Sequence, residues 1–224
     1  MEPATRSCRF VVWLHDLGDT GRANEFLADS FSTTAAFADA RWAFPTAPTA
    51  PKCVRDEEDV LRAVLSVHAM IDREIAAGTN PRDVFVFGLS QGGALGIASV
   101  LLYPKTLGGC AVFSGFLPFN SSFAVRVTAQ AKKTPVLWIH GRADSLIPIE
   151  EGRDGTKFLR GLGMSCEFKV YDRLGHLWNT TNWITASAGW TTFCTGVEEK
   201  ALSVGSQGTC VCASISSTVP TISN

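Results

Sequence analysis

Gly88-Leu89-Ser90-Gln91-Gly92 sets a serine between two glycines in a G-x-S-x-G pattern. An apolar run, Val84 to Phe87, precedes it, and a helix-forming stretch, Gln91 to Tyr103, follows. A serine at such a strand–helix turn has its hydroxyl raised above a sheet, at the positive end of a helix. That is the setting of a nucleophilic serine, and the bland alternative is an N-capping serine on a Gly-rich turn. A serine hydroxyl attacks a carbonyl only if a base removes its proton. The base in turn needs a third group to hold its tautomer.

Both partners are available downstream. His140-Gly141-Arg142-Ala143-Asp144 follows an apolar run and offers the carboxylate of Asp144. Leu174-Gly175-His176 follows the run Cys166 to Tyr171 and offers the base His176. The chain order Ser90, Asp144, His176 is that of α/β-hydrolases. An oxyanion formed on the attacked carbonyl needs backbone N–H donors. The residue after the nucleophile, Gln91, supplies one, and Leu17 in the loop His15 to Gly21 is expected to supply the other. His15 and His140 are rival bases, and both read as structural. Asp172 rivals Asp144, yet it stands only four residues before His176 on the same connection.

The elements that must position these groups alternate. Phe10 to Leu14, Arg41 to Phe44, Val84 to Phe87, Gly109 to Phe113, Pro135 to His140 and Cys166 to Tyr171 read as strands. Residues 22–31, Asp56 to Ala77, Gln91 to Tyr103 and Glu150 to Leu162 read as helices. In the second of these, Val60, Leu61, Val64, Val67, His68, Ile71 and Ile75 form one stripe. Acidic residues fill its first turn, and Gly78 closes it. His68 is expected to find a local structural partner. The alternation predicts a mostly parallel sheet with helices on both faces and ligands beyond the carboxyl ends of the strands.

Composition narrows the function. The 224 residues are 46% hydrophobic, which excludes wholesale disorder. A net charge of −1 supplies no basic field for nucleic acid. The apolar stretch Val84 to Pro104 is broken by Gly88, Gln91, Gly92, Gly93 and Gly96, so it reads as strand, turn and helix and no stable membrane span is expected. Seven cysteines at 8, 53, 110, 166, 194, 210 and 212 are odd in number and irregular in spacing. They predict free thiols in a reducing, cytoplasmic setting, with no metal site at Cys210 and Cys212. Residues 1–14 lack the pattern of a secretory signal, so the sequons at Asn120 and Asn179 read as chance matches.

Taken together, Leu14 to Gly21, Phe44-Pro45-Thr46-Ala47-Pro48, Gly88 to Gly93, Phe113-Ser114-Gly115, His140 to Asp144 and Gly175-His176 resemble the acyl-protein thioesterase and carboxylesterase family of α/β-hydrolases, especially its plant carboxylesterase-like members. The resemblance implies hydrolysis of an acylated protein or a small acyl ester, with no metal or organic cofactor. It departs in three places. The family has Gly where this chain has Asp16, so a side chain here is expected to strain the turn, and its carboxylate to repel a forming oxyanion. The family's longer groove segment before the second helix is shortened between Pro51 and Asp56. The family's helix after the catalytic histidine is not matched by residues 177–224, so an α/β-hydrolase domain over 1–176 and a divergent, Ser/Thr/Gly-rich tail over 177–224 are expected. These departures leave a second reading open, a binding or regulatory module of the same fold with little or no turnover.

Overall fold

The computed structural model describes residues 9–48, 57–118, 121–178 and 183. The expectations for residues 49–56, for the sequons, for Cys8, Cys53, Cys194, Cys210 and Cys212, and for the tail beyond 183 lie outside them. So does Asp56, the first residue of the expected second helix.

Six strands form one all-parallel sheet: β1 (Phe10–Leu14), β2 (Arg41–Ala43), β3 (Val84–Leu89), β4 (Gly109–Phe113), β5 (Val136–Gly141) and β6 (Cys166–Tyr171). Their order is β2-β1-β3-β4-β5-β6. The helices are α1 (Phe26–Ser32), α2 (Glu57–Ala76), α3 (Gln91–Leu102) and α4 (Ile149–Gly161). The expected helix over 22–31 is divided. A short 3-10 turn, Arg22–Asn24, precedes α1, because Asn24 turns inward to accept the Trp13 indole N–H at 3.0 Å.

Alternation along each strand splits the core between two faces. Val12, Leu14, Val84, Val86, Val112, Val136 and Trp138 face Val67 and Ile71 of α2, Ile97 and Leu101 of α3 and Leu159 of α4. Val11, Trp13, Phe85, Phe87, Phe113 and Ile139 face Leu27 and Phe31 of α1, together with Phe37 and Trp183. Strands β1, β3, β4 and β5 are therefore apolar at nearly every position, as a sheet covered on both sides requires. In α2 the expected stripe narrows to Val60, Val64, Val67 and Ile71, which are buried. His68 sits beside it, its Nε2 2.8 Å from the Ser99 carbonyl oxygen, so it is a structural histidine. Gly78 ends the helix with φ +108°. Truncating a residue such as Ile71, fully buried here, costs about 2–5 kcal/mol.

The run Val84 to Pro104 resolves into β3, a turn and α3, and no described helix is long and apolar enough to cross a membrane. Cys110 and Cys166 are free thiols, and burial pushes the Cys166 thiol up to about 12.

The chain runs outward from β1 to β2 and then returns to the other side of β1 with β3. The order thus reverses beside β1, which puts the topological switch point at the carboxyl ends of β1 and β3. Leu14 and Gly88 are register partners there. The loops that follow them carry His15 to Gly21 and Ser90.

Candidate active site

Ser90 is the hinge between β3 and α3. Its φ of +54° is left-handed, and its ψ is −118°. Few residues besides glycine adopt such a backbone without cost, and it turns the side chain up from the sheet. The elbow is held from both sides. Ser90 N–H donates to the Phe113 carbonyl at 2.8 Å, and Ala94 N–H donates to the Ser90 carbonyl at 3.0 Å. Gly92 lets α3 press against β1, since a Cβ there would fall 2.1 Å from the Leu14 carbonyl oxygen. The N-terminus of α3, opened by Gln91, therefore sits at the end of β1 with unpaired first-turn N–H groups.

One strand further on, Ser114 repeats the elbow geometry. It has φ +45°, is fully buried, and donates its N–H to the Ile139 carbonyl at 2.8 Å.

Asp144 is rooted just past β5. Its Oδ1 accepts the N–H groups of Leu146 at 3.0 Å and Ile147 at 2.9 Å. Its Oδ2 accepts the Nδ1–H of His176 at 2.9 Å. The acid is thus buried with both oxygens engaged, and the histidine is fixed with Nε2 pointing away from it. Backbone bonds tie the two loops together, with Ala143 N–H donating to the Leu174 carbonyl at 3.1 Å and Arg142 N–H to the Tyr171 carbonyl at 2.9 Å. Gly141 makes this approach possible, as a Cβ would meet the Leu174 carbonyl oxygen at 1.9 Å.

The rivals fall into structural places. His140 is fully buried behind the acid, with Nε2 2.9 Å from the Ile147 carbonyl oxygen and 3.7 Å from Asp144 Oδ2. His15 accepts the Ala47 N–H on Nε2 at 3.0 Å. Its Nδ1–H is then left to donate to the Asp16 carbonyl at 2.7 Å, so His15 clasps the first loop to the Pro-rich segment. Asp172 pairs with Arg142 at 2.8 Å on the surface.

The nucleophile half departs from expectation at one residue. Leu17 N–H, the expected oxyanion donor, is taken by Asp16 Oδ1 at 2.6 Å. Asp16 Oδ2 lies 3.4 Å from His176 Nε2. Ser90 is a neighbour of the same carboxylate and helps to hold it ionised. Among the described residues no direct Ser90–His176 hydrogen bond forms, and Asp16 is a neighbour of both. The expected backbone strain at residue 16 is not found. Positive φ among the described non-glycine residues is confined to Ser90 and Ser114, and Gly18 takes the left-handed position of this loop.

Charge follows geometry. The Asp16 carboxylate, 3.4 Å from Nε2, is the largest influence on His176 and raises it above the ordinary imidazole value. Burial works against this, and Asp144 adds to it. Burial acts to raise the Asp16 carboxyl, but the neighbouring His176, Leu17 N–H and Ser90 together hold it below its ordinary value. Asp16 is therefore an ionised carboxylate beside a readily protonated histidine.

Trp178 had no sequence signal. Its indole N–H donates to Ser114 Oγ at 3.3 Å, and its ring lies edge-on to Phe113 at 5.1 Å and against Trp183 at 4.5 Å. It anchors the chain two residues after His176.

An all-parallel sheet with a strained serine elbow and an Asp–His pair on its later loops defines the α/β-hydrolase class. Comparison with known proteins narrows it. Residues 50–184 match the Phospholipase/Carboxylesterase family model. A protein of Oryza sativa subsp. japonica named a probable inactive carboxylesterase is 81% identical over 201 residues, covering 79% of this chain and 82% of that one. Carboxylesterase SOBER1 of Arabidopsis thaliana is 48% identical over 189 residues, covering 75% of this chain and 82% of that protein. Its crystal structure has a TM-score of 0.76 at 44% identity, covering 84% of this chain and 99% of that one. Acyl-protein thioesterase 1 of Schizosaccharomyces pombe is 29% identical over 197 residues, covering 79% of this chain and 87% of that protein. The chain belongs to the phospholipase/carboxylesterase family of α/β-hydrolases.

Proposed function

We propose that the chain hydrolyses acyl esters or thioesters through Ser90, His176 and Asp144. The observation that carries this reading is the 2.9 Å bond from His176 Nδ1–H to a buried, backbone-anchored Asp144, set beside a serine in the elbow conformation. In the forward step, His176 Nε2 takes the Ser90 proton as Oγ bonds to the acyl carbon. The carbonyl oxygen becomes an oxyanion held by the N–H groups of Leu17 and Gln91. Collapse breaks the C–O or C–S bond, and His176 returns the proton to the leaving alcohol or thiol. Water then attacks the acyl-serine, His176 relays its proton back to Ser90, and the carboxylic acid departs.

The rim supports an acyl substrate. Leu17, Leu146 and Leu177 each adjoin a site residue or its loop, and they are 62%, 67% and 82% exposed. Apolar side chains at the mouth of a polar site suit a substrate with an apolar acyl portion and a polar reacting end. An S-acylated protein or a small acyl ester meets that description.

A second reading, a hydrolase-fold binding protein with little turnover, is favoured by the Asp16 carboxylate, which takes the Leu17 N–H and lies 3.4 Å from His176 Nε2. The rice relative, named a probable inactive carboxylesterase, points the same way. Covalent labelling with a fluorophosphonate, mapped by mass spectrometry, separates the two. Modification confined to Ser90 and lost in Ser90→Ala is the expected result. A cooperatively folded chain that stays unmodified at Ser90 would sink the hydrolase reading.

A further inference from the structure

Resting on that reading, we infer that Asp16 is a built-in occupant of the acyl-carbonyl subsite, a tethered carboxylate standing where the carboxylate of a released product would stand. A product acid leaving such a site would put one oxygen on the oxyanion donors and the other between serine and histidine. Asp16 matches this arrangement at two points: Oδ1 takes one of those donors, the Leu17 N–H, at 2.6 Å, and Oδ2 lies 3.4 Å from His176 Nε2.

Three physical consequences follow. The donor meant for the oxyanion already has a charged acceptor, and charge-assisted bonds of this kind are the strong ones. Nε2 and a carboxylate oxygen are both acceptors, so their approach is favourable only with a proton between them. That proton makes His176 an imidazolium, which cannot remove another from Ser90. Finally, Asp16 cannot stand in as the base, since a carboxylate held below its ordinary value is too weakly basic to deprotonate a serine. Entry of a substrate carbonyl therefore requires the Asp16 side chain to swing out. A route exists, because this side chain is 23% exposed, whereas those of Asp144 and His176 are 0% and 5% exposed.

The occupancy also sets which small molecules the site refuses. A second carboxylate cannot share the donors with Asp16, so free acids are excluded from the resting site. Removing the tether reopens it to them.

The test uses the full chain, with Asp16→Gly, Asp16→Asn and Ser90→Ala. The readouts are the rate of fluorophosphonate labelling at Ser90, its protection by millimolar octanoate, and the ¹⁵N-detected titration of the His176 ring. Asp16→Gly is expected to label at least about ten-fold faster than the parent chain. Octanoate is expected to slow Asp16→Gly while leaving the parent unchanged. Asp16→Asn keeps an acceptor for Leu17 but loses the charge, so it should label at an intermediate rate. It carries the test if the glycine variant melts without a cooperative transition. Equal labelling rates, equal octanoate protection and an unmoved His176 titration would overturn the occupancy. If Ser90 labels in none of the folded chains but the His176 midpoint falls on loss of Asp16, the occupancy is supported and the hydrolase reading fails.

Discussion

The two halves of the site are built by different means. The acid–base half, Asp144 and His176, hangs from adjacent strand ends, with both Asp144 oxygens satisfied and the loops bonded to each other. The nucleophile–oxyanion half joins a rigid elbow at Ser90 to a first loop whose Leu17 is largely exposed. One residue of that loop, Asp16, takes the Leu17 N–H and approaches His176 Nε2. The contrast teaches that a carboxylate–imidazole pair locked by backbone bonds survives the arrival of a nearby charge. An oxyanion hole made of free N–H groups does not, because any local acceptor can claim it.

The sharpest way to break this comparison is to disable the locked half. In the Asp16→Gly background, Asp144→Asn is expected to lower Ser90 labelling by about 10²–10⁴-fold, since the imidazole loses its tautomer and its charge partner. A fall of less than about five-fold would show that Asp144 is only a loop anchor.

A smaller effect sharpens the division of charge. His176 is a base only when neutral, so labelling of the parent chain should rise with pH through a midpoint above the ordinary histidine value. Asp16→Asn removes the largest cause of that elevation, so its profile should move to lower pH, measured as labelling rate between about pH 5 and 9. The sign for stability is set likewise. The His176 contribution is complete below the unfolded histidine value and lost as pH rises through the elevated one. The Asp16 contribution is present above the unfolded carboxyl value and lost as pH falls through the depressed one. A profile identical in both chains would mean that Asp16 does not touch the base.

The smallest effect concerns the rejected acid. Asp172→Asn removes an exposed ion pair with Arg142 and should leave labelling unchanged, with stability altered by no more than about 1 kcal/mol. Loss of labelling in this variant would reassign the acid.

How much of this was legible in the sequence depends on how each element is covered. Strands β1, β3, β4 and β5 are buried on both faces, so their unbroken apolar runs announced them. Helix α2 has one wet face and displayed its period. The aromatic face of the sheet did not declare itself. Trp178 and Trp183 pack on Phe113 at ring-centroid distances of 5.1 and 5.0 Å from a stretch without helical or strand periodicity. Ring-edge contacts need no repeat, so no pattern marks them. At the site, Ser90, Asp144 and His176 stood out because each follows a strand. Asp16 stood out as a charge in the wrong place, but strain of the turn and repulsion of the oxyanion were the effects the sequence suggested. Its actual behaviour, turning inward to accept the adjacent Leu17 N–H, is a matter of side-chain rotamer and partner geometry, which residue order does not encode.

The two left-handed serines are linked to one another through the sheet. Ser90 N–H reaches the last residue of β4, and Ser114 N–H, next along the chain, reaches β5. The elbow is thus the first step of a staircase that climbs from nucleophile to acid across three strand ends. A local fluctuation cannot relax one step without loosening the next. Amide exchange at Ser90 and Ser114 should consequently be as slow as in the central strands, although both lie in turns. The strain stored in the nucleophile then lasts as long as the sheet stays closed, and the serine keeps its upright posture whether or not its neighbours let it work.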